Sequence, residues 1–160
     1  MRKQKGFSLI ELLIVVAIIL IIAAIAIPNL LRSRISANES SAVGSIRTLN
    51  TAEVTYSTTY PNVGFTCTLG NLGPPAPGAN PTSTTAGLID NVLASGQKSG
   101  YGFALGGCSG TPVVTYNSQG TPVSIGQTGQ RAFCSDQSGV IRFAADGSGT
   151  TCLAGTTALQ

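Results

Sequence analysis

FSLIELLIVVAIILIIAAIAI, Phe7–Ile27, is the stretch that decides how this chain is read. From Leu12 to Ile27 every residue is apolar, and Ser8 and Glu11 are the only polar interruptions after Phe7. As a helix, about 21 residues span roughly 30 Å, the thickness of a bilayer's hydrocarbon core. Arg2, Lys3 and Lys5 precede it, so the N-terminus stays cytoplasmic and the remainder crosses. Arg32 and Arg34, on the far side, weaken that asymmetry. Ala24-Ile25-Ala26 offers a small-x-small cleavage site, so a removable secretory signal is the competing reading. Glu11 argues against it. A carboxylate at membrane depth costs roughly 2–3 kcal/mol, and a simple export signal gains nothing from that charge.

Outward from this run, the helical pattern continues past Arg34. Pro28 removes one backbone hydrogen bond, to the carbonyl of Ala24, and is expected to kink the helix rather than end it. Beyond it Ala42, Val43, Ile46, Leu49, Ala52 and Tyr56 recur at three- and four-residue spacing, one apolar stripe facing a core. Ser40, Ser41, Ser45, Arg47 and Thr48 fall on the expected wet or subunit-facing side. Tyr60-Pro61-Asn62 breaks the pattern. The helix is thus apolar all round in its first half and amphipathic in its second.

Composition narrows the functions open to the chain. It has 160 residues, no His and no Trp. Imidazole acid–base chemistry and His-ligated metal sites are excluded, and no catalytic residue is assigned. Three of the nine basic residues precede residue 6, leaving the rest at six against six acidic. Such a body has no basic surface for a polyanion, so nucleic acid is disfavoured as a partner. From Phe65 the sequence reads as loops, one short helix and several strands. Pro74 to Pro81 is a turn-rich connection. Thr84 or Thr85 is expected to cap a helix through Ala94, with Leu88, Ile89, Val92 and Leu93 as its apolar side and Gly96 as its stop. Strands are expected at Tyr101–Leu105, Pro112–Tyr116, Pro122–Ile125, Arg131–Ser135 and Val140–Ala144. Turns between them are read at Gly106-Gly107, Ser118-Gln119-Gly120, Gly126–Gly129 and Asp136–Gly139, which implies an antiparallel meander.

Gly6-Phe7-Ser8-Leu9-Ile10-Glu11, after a short basic leader and before Leu12-Leu13-Ile14-Val15-Val16-Ala17-Ile18, resembles the prepilin N-terminus of type IV pilins and the related pseudopilins. The resemblance covers Met1 to Leu31. It implies that a prepilin peptidase cuts between Gly6 and Phe7 and methylates the new terminus at Phe7. It implies an α+β fold: a long N-terminal helix packed against a C-terminal antiparallel β-sheet head. The expected organisation is a leader at 1–6, a helix at 7–60 whose part 7–31 serves membrane and assembly, and a disulfide-bearing head at 61–160. The implied function is a structural subunit of a type IV pilus, with no cofactor and no enzymatic activity. Implied partners are copies of itself, the prepilin peptidase, an inner-membrane platform protein with its assembly ATPase, and an outer-membrane secretin. The chain would sit in the inner membrane as a single-pass precursor and then in an extracellular fibre. A type II secretion pseudopilin and a minor pilin acting as adhesin or DNA receptor are the alternatives. Lys98, Arg131 and Arg142 are few cations for the last of these.

Residue chemistry supports the assembly reading separately. Phe7 and Glu11 are four apart and share a helix face. A lone carboxylate in lipid takes up a proton or finds a cation, and cleavage would create such a cation as an amine at Phe7, in its own chain or a neighbour's. That pair would set axial register between otherwise greasy helices. The plainer reading is that Glu11 marks the helix start, where acidic residues suit the dipole.

Cys67, Cys108, Cys134 and Cys152 lie on the exported side, where disulfides persist, and four cysteines allow three pairings. Cys67–Cys108 with Cys134–Cys152 is favoured. The second bond staples the C-terminal tail to the Arg131–Ser135 strand, closes a loop of about 18 residues, and contributes on the order of 3 kcal/mol. A C-terminal disulfide is also what the resemblance implies. Without a C-x-x-C pair or a His, zinc is disfavoured. Asp136 and Asp146-Gly147 lack calcium-loop spacing and read as turns. Asn38-Glu39-Ser40 fits a glycosylation sequon but falls within the helix.

Overall fold

The computed structural model describes residues 7–155 and 157–159. Helix α1 runs from Leu9 to Thr59, 51 residues, with Pro28 inside it. The chain forms two compact units, one ending at Arg34 and one running from Ile35. Gly6 lies outside the described residues.

In the second unit, α1 buries Glu39, Ala42, Ser45, Ile46, Leu49, Ala52, Glu53 and Tyr56. The expected stripe is therefore the core face, with Val43 half-buried at its edge. Ser45 is a correction: the pattern puts it on the wet side, yet it is buried, one position ahead of Ile46 on the same broad face. The apolar members meet Leu69, Leu72, Leu93, Tyr101, Phe103 and Phe133 in one core.

The head is a five-stranded antiparallel meander, order β1 to β5. Its strands are β1 Gln97–Lys98, β2 Tyr101–Ser109, β3 Thr115–Pro122, β4 Ala132–Asp136 and β5 Arg142–Ala144. The structure is α+β, with the sheet packed on the amphipathic half of α1. Ser118-Gln119-Gly120 is not a turn but the middle of β3, paired to β2 on one side and β4 on the other. Burial alternates along it, with Tyr116, Ser118, Gly120 and Pro122 inward. Gly120 is needed there, because a Cβ would stand 2.9 Å from the Phe103 ring. Pro122–Ile125 is not a strand; it leads into a turn in which Gly126 N–H bonds Gly129 O at 2.8 Å.

Three short helices complete the head: α2 Leu69–Leu72, α3 Asn91–Ala94 and α4 Gly149–Ala154. The helix expected from Thr84 shrinks to α3. Gly87 takes φ +70°, which no helix continues through. The N–H groups of Ala86, Leu88 and Ile89 bond the carbonyls of Asn71 and Leu72 instead. Asp90 is the actual cap, accepting the Leu93 N–H at 2.8 Å.

The structure pairs Cys67 with Cys108 and Cys134 with Cys152, their Cα atoms 6.1 and 5.9 Å apart. Cys152 sits on α4, which Ser148 caps, so the second bond clamps a helix to β4. Ala132, Cys134, Ala144 and Cys152 make a small core of their own there. Replacing Cys134 and Cys152 together by Ala is expected to lower stability by about 3 kcal/mol in urea unfolding of the detergent-solubilised chain. An unchanged midpoint would show that the clamp contributes nothing.

Candidate functional site

The N-terminal segment holds the residues singled out for processing and assembly. Phe7 is 83% exposed, and the large apolar side chains from Leu9 to Leu31 are exposed along the whole length. Within its own unit this part of α1 has no core to cover it. Pro28 lies inside the helix, on the stretch where Ile27, Leu30, Leu31 and Arg34 line a shallow groove.

Glu11 stands in the first turn of α1, and its Oε2 accepts the Ser8 backbone N–H at 3.3 Å. Ser8 is the residue before the helix and Glu11 is its third member. This is the carboxylate half of a capping box. The signal is present in the sequence as Ser-x-x-Glu, where the processing motif over the same four residues masks it. One oxygen of Glu11 is thus engaged with its own helix start. Among the described residues its Oε1 makes no hydrogen bond.

Two more carboxylates of α1 are buried in the second unit; the expected stripe omits them, although their spacing continues it. Glu39, Ala42, Ile46, Leu49, Glu53 and Tyr56 step by three and four throughout. Glu39 accepts four bonds. Its Oε1 takes the N–H groups of Gln130 and Arg131 at 3.0 Å each, and its Oε2 takes Arg131 Nε at 2.9 Å and Nη2 at 2.7 Å. Burial pushes this carboxyl up, but the Arg131 guanidinium and the two backbone donors outweigh it and hold it below its ordinary value. Glu53 is fully buried with no cation. Its Oε2 accepts the Thr66 N–H at 2.9 Å, while Oε1 has no partner. Burial raises its pKa to about 7, against the lowering effect of that one bond.

Tyrosine hydroxyls fasten the same face. Tyr56 donates to Ser83 O at 2.6 Å, Tyr101 to Arg131 O at 2.8 Å, and Tyr116 to Asn50 Oδ1 at 3.2 Å. Asn38, the sequon residue, donates its amide to Thr128 O at 2.8 Å. Asp136 is held by Arg142 at 2.8 Å, and Asp146 accepts the Ser148 N–H. All four cysteines are in disulfides.

Residues 1–27 match the prokaryotic N-terminal methylation motif. In its N-terminal third the chain resembles type IV pilins and pseudopilins. The type IV wide pilus major component PilA4 of Thermus thermophilus is 65% identical over 40 residues, which is 25% of this chain and 30% of that protein. The type IV major pilin protein PilA of Myxococcus xanthus is 46% identical over 54 residues, 34% of this chain and 24% of that one. The type II secretion system core protein G of Vibrio cholerae is 44% identical over 52 residues, 32% and 36% respectively. The matched stretches therefore span about a quarter to a third of these relatives. No solved structure matches the chain. The likeness to pilins thus resides in the N-terminal third, which contains the exposed apolar run and its leading motif.

Glu53 supplies a pH test. Its folded pKa of about 7 lies above the ordinary 4.5, so between those values the folded state binds more protons than the unfolded one. The contribution of Glu53 is full below the ordinary value and is lost as pH rises through about 7. Glu53→Gln should remove up to about 3 kcal/mol of that decline. Urea midpoints measured from pH 4.5 to 8 check it; parallel pH curves for wild type and variant would refute it.

Proposed function

We propose that this chain is a structural subunit of a type IV pilus. It is cleaved between Gly6 and Phe7, methylated at Phe7, and polymerised through the apolar part of α1. The observation that carries this reading is a run of large apolar side chains, exposed from Leu9 to Leu31, led by a methylation motif at residues 1–27. Such a surface needs another apolar medium. Lipid supplies it before assembly, and parallel copies of the same helix supply it afterwards. Each Leu or Ile transferred from water contributes about 1.5–3 kcal/mol, but lipid and helix bundle are equally apolar, so that burial cannot choose between them. Polar pairing can. The Phe7 amine and the Glu11 carboxylate supply it.

The domains follow from that use: a leader at 1–6, an assembly helix within 7–31 that continues to residue 60, and a head at 61–160. The chain enters the inner membrane with its N-terminus cytoplasmic and leaves it for a surface fibre. Its partners in that route are copies of itself, a prepilin peptidase, a platform protein with its ATPase, and a secretin. Its role is architectural rather than catalytic. The secretion core proteins among the relatives support a second reading, a pseudopilin of a type II secretion system. The higher identity to a pilus component favours the pilus.

Mass spectrometry of the mature protein should find methylated Phe7 as its first residue; a start at Ile27 would select the signal-peptide reading. Glu11→Ala should leave mature protein in the membrane and abolish sheared surface filaments. Normal filament yield from that variant would remove Glu11 from assembly and leave it as a helix cap.

A further inference from the structure

Among the described residues, the charges of the head pair off and leave a remainder. Lys98 pairs with Asp90, Arg131 with Glu39 and Arg142 with Asp136, at 2.9, 2.7 and 2.8 Å. Glu53 is buried. Asp146 is then the exposed head carboxylate in no ion pair. It stands on the turn between β5 and α4. Its neighbour Gly147 lies under the side chain of Ile125, which is itself 56% exposed. This corner is apolar with a negative edge.

The described cations in no ion pair are Arg32, Arg34 and Arg47, all exposed and all on α1. Their surroundings differ. Arg47 lies in the head unit, among Thr48, Thr51, Ala52, Thr55 and Leu88 on one side and near Glu39 on the other. Arg34 closes the groove formed by Ile27, Leu30 and Leu31, four residues whose spacing puts them on one helix face. This face is apolar with a positive edge. A cation on the exported flank also runs against the charge bias that orients the span, so it is misplaced for insertion alone.

We propose that the Ile125–Asp146 corner of one copy seats on the Ile27–Arg34 face of a second copy, with Asp146 paired to Arg34. The inference rests on the fibre reading above and names a contact within it. Ile125 meets Ile27, Leu30 and Leu31, and the ion pair at the edge fixes where on the helix the corner lands. The apolar contact alone would accept several positions along so uniform a surface. The two sides complement each other in both hydrophobicity and charge, which makes a second copy the occupant.

Charge reversal tests the pairing in cells that express the chain together with a type IV pilus assembly machinery. Asp146→Arg and Arg34→Asp should each cut sheared-filament yield by about tenfold or more, since each puts like charges in contact at every repeat of the interface. The double variant should recover most of the yield. Arg47→Asp should not respond to Asp146→Arg. In a separate arm, Arg34→Lys filaments treated with a carbodiimide should give a peptide joining residue 146 of one copy to the new amine of another. The internal Lys98–Asp90 pair is the positive control for coupling. Normal filaments from Asp146→Arg, which leaves α1 untouched, or no recovery in the double variant, would overturn the pairing while the fibre reading stands. Absence of filaments from the wild-type chain would overturn both.

Discussion

Residues 39, 42, 46, 49, 53 and 56 of α1 form a seam at steps of three and four, and the arrangement of the head depends on burying it. Four of the six are apolar or aromatic and need only a surface to cover them. Two are carboxylates, Glu39 and Glu53, and they impose conditions. A buried carboxylate without donors would cost several kcal/mol. Glu39 meets the condition with four bonds from one short segment, Gln130–Arg131. That geometry is directional, because a guanidinium fork and two adjacent N–H groups fit one carboxylate in one orientation. The entry to β4 is therefore pinned to one turn of the helix. Registers one turn away would strand both Glu39 and Arg131.

Glu53 is satisfied on one oxygen only. It anchors Thr66, the residue before Cys67, and so holds the segment leading to the first disulfide. The arrangement gives two clamps of different kinds. One is an ion pair whose charged form is favoured by folding. The other is a carboxyl whose neutral form is favoured. The two respond to pH in opposite senses: the first is lost as pH falls through the lowered pKa of Glu39, and the second as pH rises from the ordinary carboxylate value to about 7.

The apolar run and the amphipathic stripe are legible because both are periodic signals that a single helix carries by itself. The strands at 101–105, 131–135 and 140–144 are legible from β-branched and aromatic residues near their observed places. What escapes are features that only neighbours create. Ser118-Gln119-Gly120 has turn composition, yet it forms a central strand because β2 and β4 take its backbone groups and Phe103 fills the space above Gly120. Thr84–Ile89 has helical spacing, yet the N–H groups of Ala86, Leu88 and Ile89 find carbonyls at Asn71 and Leu72. Glu39 and Glu53 escape because their charge speaks for a wet face, although their positions continue the stripe. The two disulfides rest on chain reversals that spacing alone leaves open, whereas the Ser8–Glu11 capping relation is visible in the sequence and masked by a more conspicuous motif.

That capping relation bears on why an acidic residue is tolerated at the head of an otherwise apolar run. On the proposed reading Glu11 would answer two needs at different stages. As a cap, its Oε2 satisfies an orphan donor at the start of the helix. The charge is therefore partly offset before any partner arrives. In the proposed assembly, cleavage at Gly6 would add a new cation four residues away. The carboxylate would then meet the amine with one oxygen while the other keeps the cap. A glutamine could cap equally well but would carry no charge to pair with the amine. On the proposed reading, the requirement for both functions at once, within one turn, would select a carboxylate of this length at this position.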